Sequence, residues 1–207
     1  MIEPGAFLAW SALALIVTLT PGPDTLLVAA HAARSGARAG MAALMGIMTA
    51  VVFFYGALIA FGALSILVAA PALFLAVKVA GALYLAWLGA GMIWSAVKGR
   101  RGGANAKPLD LKQPYAQGFL TNALNPKVAL FYLAALPQFA SGESAPLIGV
   151  MLLGIHAAFG FVWLSFIAFA ASRARTIAWN SGVVRWLEGA VGAFFVGVAA
   201  RLALAPR

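Results

Sequence analysis

The chain has 207 residues, of which 64% are hydrophobic and 9% charged, with a formal net charge of +9 and a mean hydropathy of +0.98. Ordinary soluble domains carry about 25% charged residues, so this composition excludes a soluble globular fold and makes lipid the main solvent. The basic residues fall between apolar segments rather than in one patch, which argues against a nucleic-acid partner, and the absence of Cys excludes disulfides and thiolate metal sites.

A spanning helix needs about 20 apolar residues, and six such spans are expected, at roughly 6–33, 40–64, 68–97, 117–137, 145–171 and 182–204. The stretch before the first lacks the basic region of a signal peptide, so the first run is read as a retained span. Its midpoint holds Thr20-Pro-Gly-Pro-Asp-Thr25. Pro23 has no N–H and its ring clashes with the preceding turn, so the helix is expected to break there and restart with Pro23 in its first turn. The carbonyls of Leu19 to Gly22 are then freed and must face protein or a cavity. Asp24 falls in the restarted first turn, where a carboxylate complements the helix dipole. It reads equally as a structural cap and as a binding group. Thr20 and Thr25 are expected to bond freed carbonyls, and His31, near the end of the span, has little claim to a site.

Span three reads Gly81-ALYLAWL-Gly89, with Lys78 placed to snorkel outward. The polar, basic segment 98–116 that follows is the one substantial extramembrane loop. Span four breaks again, at Asn125-Pro126-Lys127. Asn125 is placed to cap the second half-helix. Lys127 is a cation both at a helix N-terminus and deep in an apolar span, two penalties that demand an anionic partner: Asp24 or a substrate group. Asn122 has no local reason to be there beyond a bond to a neighbouring helix, and Thr121 is expected to bond a freed carbonyl. In span five, His156 reads as a neutral imidazole bonded to another helix or as a proton relay. The tryptophans read as interfacial or packing residues. Span six carries Gly189-AVGAFFV-Gly197, repeating the glycine spacing of span three.

These features recur in order. The break prolines Pro23 and Pro126 are 103 residues apart, and the glycine pairs Gly81/Gly189 and Gly89/Gly197 are 108 apart. Two halves of three spans each, about 1–97 and 117–207, make an inverted-topology repeat, a plan common among secondary transporters. The expected fold is therefore all-α and integral to the membrane, one domain of six helices, with helices one and four broken at proline. Gly40, Gly46, Gly81, Gly89, Gly189 and Gly197 would allow close helix packing or a homodimer contact. Ten basic residues lie in the loops after spans one, three and five, and two, Arg201 and Arg207, lie at the far end of span six. The positive-inside rule puts both termini outside the cytoplasm. No Gly-x-Ser-x-Gly, His-Glu-x-x-His or P-loop is present, so transport would be passive or driven by an ion gradient, with no cofactor and no metal site.

The stretches "TPGPDTLLVAAHAARSGARAGMAALMGI", "KVAGALYLAWLGAGMIW" and "GFLTNALNPKVALFYLAALPQFA" resemble the first, third and fourth spans of the LysE/RhtB amino-acid exporters. The resemblance covers nearly the whole chain and implies efflux of amino acids or similar metabolites across a bacterial inner membrane, coupled to the proton-motive force. The expected substrate site comprises Gly22, Pro23, Asp24, Thr25, Asn122, Asn125, Pro126 and Lys127. One carboxylate, one ammonium, two half-helix N-termini and freed carbonyls suit a zwitterion. No further acid lies inside the membrane to hold a basic side chain, so neutral amino acids of the leucine, threonine or homoserine kind are favoured over lysine or arginine. Asp24 is the first candidate for the proton-coupling group and His156 the second. Export of basic amino acids or another small metabolite is the alternative. A passive channel, a metal exporter and a membrane-embedded enzyme are the rivals from other classes. The last has no identifiable catalytic set.

Overall fold

In a computed structural model, the chain is described at residues 3–61, 71–98, 111–140, 142, 144–177 and 181–204. These residues are helical almost throughout, with no strand among them. The first span is two helices, α1 (Pro4–Leu19) and α2 (Pro23–Ser35), bent by 48° across Thr20 to Gly22. Both carry proline in the first turn, where its missing N–H costs nothing. Gly36 (φ 89°) turns the chain straight into α3 (Ala37–Ala60), using a conformation open to glycine. Within α3, Ala50–Tyr55 is wound as a π-helix, which shifts the register of the side chains beyond it.

After α4 (Pro71–Lys98), the stretch expected as the fourth span is also two helices, α5 (Lys112–Ala123) and α6 (Pro126–Phe139). The break falls at Leu124 and Asn125, one step from the expected proline. The expected 98–116 loop is shorter than the sequence suggested, because α5 already begins at Lys112; residues 99–110 lie outside the described part. The helix α7 (Ala145–Ile177) runs six residues beyond the expected end of span five, so Arg173 sits on its last turns rather than in a loop. The chain ends in α8 (Ser181–Leu204). Among the described residues, three helices are long and apolar enough to cross a membrane, four if α1 and α2 count as one bent span. Lys127–Phe139 and Gly189–Arg201 are shorter apolar stretches.

The core lies where α1, α2, α3, α6 and α7 meet, around the fully buried Trp10, Tyr55 and Tyr132. The Trp10 indole N–H donates to the Leu152 carbonyl at 2.9 Å and its ring packs on Phe131 and Phe139, tying α1 to α6 and α7. Phe53, Phe61, Val162 and Phe166 point outward, as lipid-facing side chains do.

Small residues set the closest helix approaches. α4 and α8 pack along each other, and a Cβ added at Gly89 would sit 2.6 Å from the Gly192 carbonyl oxygen, one at Gly192 2.7 Å from that of Gly89. The matching spacing points to Gly197, but a Cβ there meets nothing within 4 Å; Gly192, five residues earlier and on the facing side, is the true partner. α3 and α5 meet in the same manner: a Cβ at Gly46 would overlap the Tyr115 carbonyl oxygen and one at Gly118 that of Ala43. At Gly40 an added Cβ would fall 2.8 Å from the Ala32 methyl. These glycines serve packing within the chain.

Candidate functional site

The two breaks face each other, and each is completed by the other half of the chain. Asp24 sits one residue into α2, behind Pro23, with Gly22 as the helix cap. Its Oδ2 accepts from Asn122 Nδ2 at 2.8 Å and Asn125 Nδ2 at 3.0 Å, both on the second break. A carboxylate accepts only, which fixes how the two amides point. Asn125 also caps α6, its Oδ1 accepting from the Lys127 backbone N–H at 3.0 Å. Both asparagines are almost fully buried. Lys127 reaches the opposite way. Its stem lies along Gly22, where an added Cβ would meet Cδ at 3.4 Å and Nζ at 3.5 Å, and its ammonium donates to the Thr20 carbonyl in the first break. Lys127 thus satisfies one of the carbonyls freed by Pro23, and Asp24 is held by amides instead of by the lysine. Both charges carry hydrogen bonds, as burial requires, yet neither neutralises the other directly.

Further groups close the site. The Tyr55 hydroxyl lies 3.3 Å from the Asn122 carbonyl oxygen and 3.5 Å from that of Asn125, donating to the backbone that flanks the second break. The rings of Tyr55 and Tyr132 are 5.4 Å apart, and the Tyr132 hydroxyl bonds His156 Nδ1 at 2.8 Å. A cavity of about 60 Å³ lies between the breaks. Gly22, Asp24, Thr25, Asn122, Asn125, Lys127 and His156 all line it, so all but two of the expected site residues converge on one space. Pro23 is buried beneath it, and the Pro126 side chain lies outside the described part. Apart from Thr18 and Trp163, the remaining wall is apolar: Val17, Ile47, Met48, Val51, Val128, Ala157, Gly160 and Leu164. Four buried polar atoms on lining residues have no partner: Thr18 Oγ1, Asp24 Oδ1, Asn122 Oδ1 and Trp163 Nε1. Two are acceptors only, one is a donor only and the hydroxyl is both.

Elsewhere the polar residues settle into structural bonds. Thr20 Oγ1 donates to the Ile16 carbonyl at 2.7 Å, one turn back in α1 and already bonded to the Thr20 N–H, rather than to a carbonyl freed by the break. Thr121 turns to the Tyr84 hydroxyl at 3.4 Å instead of to a freed carbonyl. His31 bonds Gln117 at 2.8 Å, linking α2 to α5 away from the cavity.

Tyr55 and Trp163 escaped the sequence reading, because an aromatic in an apolar span looks like packing. A finer repeat exposes them. Leu44, Gly46, Ile47, Ala50, Phe53, Ile59, Ala60 and Phe61 recur as Leu152, Gly154, Ile155, Ala158, Phe161, Ile167, Ala168 and Phe169, all at an offset of 108. That register pairs Met48 with His156 and Tyr55 with Trp163, and of these Met48, His156 and Trp163 line the cavity.

The LysE type translocator family matches residues 15–205. The chain is 35% identical to an uncharacterized membrane protein of Pseudomonas aeruginosa over 202 residues, covering 92% of this chain and 91% of that one. It is 32% identical to a leucine efflux protein of an Enterobacter species, again over 92% and 91% of the two chains. The leucine efflux protein of Klebsiella pneumoniae is 29% identical over the same shares. No solved structure matches. The chain belongs to the LysE type translocator family and is an integral membrane protein.

Proposed function

We propose that this translocator exports neutral amino acids, of the leucine, threonine or homoserine kind, across the bacterial inner membrane at the expense of the proton gradient. The cavity between the breaks carries the reading. Asp24 Oδ1 and Asn122 Oδ1 are buried acceptors without partners on its wall, the arrangement that receives an ammonium group. The rest of the wall is largely apolar, which suits an uncharged side chain. Asp24 is the only acid among the lining residues, so a lysine or arginine substrate would bring a second positive charge with nothing to meet it. The leucine efflux relatives point the same way.

Alternating access would rock one half of the chain against the other around this cavity, as in other broken-helix transporters. The α1/α2 and α5/α6 breaks fit a six-span plan of two inverted three-span halves, with α4 and α8 as the third span of each. The basic loops then face the cytoplasm and both termini the other side. Asp24 is the first group to carry the coupling proton and His156 the second, because both line the cavity.

The test is uptake of labelled leucine into everted vesicles energised by a pH gradient, in competition with threonine, homoserine and lysine. Leucine uptake that lysine does not displace, and that vanishes when the gradient is collapsed, is the expected result. Preferential uptake of lysine, or uptake indifferent to the gradient, overturns the reading.

A further inference from the structure

We propose that the indole N–H of Trp163 is the donor that receives the substrate carboxylate, and so selects amino acids over simple amines; this rests on the amino-acid efflux reading above. The repeat at an offset of 108 makes Trp163 the counterpart of Tyr55. Tyr55 has a backbone duty: its hydroxyl reaches the carbonyls of Asn122 and Asn125, the residues that flank the second break. The same position in the other half would serve the carbonyls exposed by the break in the first span. There the duty has passed to Lys127, whose ammonium donates to the Thr20 carbonyl. Trp163 is left with a buried N–H that has no partner, on the wall of the cavity.

An indole N–H donates and never accepts, so its partner must be an acceptor. Burying it unmet carries a desolvation penalty that a partner arriving with the substrate relieves. Of the parts of a neutral amino acid, the carboxylate alone is an anionic acceptor. The ammonium has acceptors of its own in Asp24 Oδ1 and Asn122 Oδ1 on the same cavity. The two ends of the zwitterion are thereby assigned to opposite kinds of unpartnered atom. The ring of Trp163 stacks on Phe166, centroids 5.7 Å apart and planes at 26°, which holds the indole in place without using its N–H.

The experiment compares binding of leucine and of isoamylamine, which is leucine without its carboxylate, to the purified full-length protein. Wild type, Trp163→Phe and Trp163→Tyr are measured. Wild type is expected to bind leucine more tightly than the amine. Trp163→Phe keeps a ring and removes the donor; it is expected to lose about tenfold in affinity for leucine, the scale of one hydrogen bond to a charged group, and to leave isoamylamine unchanged. Trp163→Tyr, which returns a donor on a ring, is expected to keep the preference for leucine and gives the reading should the Phe variant fail to fold. Equal losses for both ligands would mean that Trp163 only packs, and an unchanged leucine affinity in Trp163→Phe would mean that it touches no carboxylate; either overturns this assignment while the efflux reading stands. Failure of the wild type to bind leucine at all takes down the efflux reading and this assignment with it.

Discussion

Asn125 does two jobs that substitution can separate. Its Oδ1 caps α6 through the Lys127 N–H, and its Nδ2 is one of two donors holding Asp24. Removing a cap of this kind costs about 1 kcal/mol. A bond to a charged acceptor contributes about 1.5 kcal/mol at the lower end of its range, and measured hydrogen bonds between membrane helices reach about that size at most. Asn125→Ala loses both, about 2.5 kcal/mol, or roughly 60-fold in the folding equilibrium. Asn125→Asp keeps the capping oxygen, and a carboxylate at a helix N-terminus is a good cap. It replaces the donor with an acceptor facing Asp24, so two carboxylates meet. If capping dominates, Asp is the milder change; if the Asp24 tether dominates, Asp is at least as damaging as Ala. The geometry predicts the second outcome, and Asp24→Asn should rescue Asn125→Asp by restoring a donor–acceptor pair across the breaks. The assay is reversible unfolding of the purified variants in mixed micelles. An Asn125→Ala cost below about 0.5 kcal/mol, well under either contribution alone, would refute the reasoning.

Other consequences are more direct. Lys127→Ala is expected to abolish leucine efflux while the protein still reaches the membrane, because it strands the Thr20 carbonyl and removes the cavity's only lysine; normal export by this variant removes Lys127 from the site. Gly89→Leu is expected to destabilise the fold by about 1–3 kcal/mol through overpacking, since an added Cβ already falls 2.6 Å from the Gly192 carbonyl oxygen. Gly91→Leu on the same helix, where an added Cβ meets nothing within 4 Å, should be nearly silent in the same melting experiment. Single cysteines at Asn105 and Ser144, probed in intact cells with an impermeant thiol reagent, should label at Ser144 only; the reverse pattern inverts the proposed orientation.

The breaks were legible because their cause is local: proline removes a donor and clashes within its own turn, wherever the chain later goes. The Asn125 cap was legible for the same reason. Partners were harder. Charge arithmetic offers Asp24 to Lys127, but the choice between them depends on where two amide donors point across a helix junction, and no spacing encodes that. Gly192 was missed because equal spacing gives register along a helix, while contact depends on which face the neighbour presents. The π-helical turn at Ala50–Tyr55 has no proline or glycine to announce it, yet it ends on Tyr55, whose hydroxyl reaches the second break.

Asp24 and Lys127 occupy equivalent positions, each one residue after a break proline and 103 residues apart, with opposite charge. If they were partners in an ion pair, exchanging them would preserve the pair. The structure predicts failure. The groups around Asp24 are side-chain amides, and Asn122 could rotate to offer its oxygen to a lysine at 24; Asn125 could do so only by giving up the cap on α6. The group that meets Lys127 is the backbone carbonyl of Thr20, which cannot become a donor. Asp24→Lys with Lys127→Asp therefore sets a carboxylate against a carbonyl oxygen and loses the charge-assisted hydrogen bond there, a contribution of about 1.5 kcal/mol or more where such a bond is shielded from water. The exchanged protein is expected to be less stable than either Asp24→Asn or Lys127→Met alone, and to export no leucine. Efflux by the exchanged protein within about tenfold of wild type, a gap of about 1.4 kcal/mol, would mean that the two charges answer to each other and that the division of labour across the breaks described above is wrong.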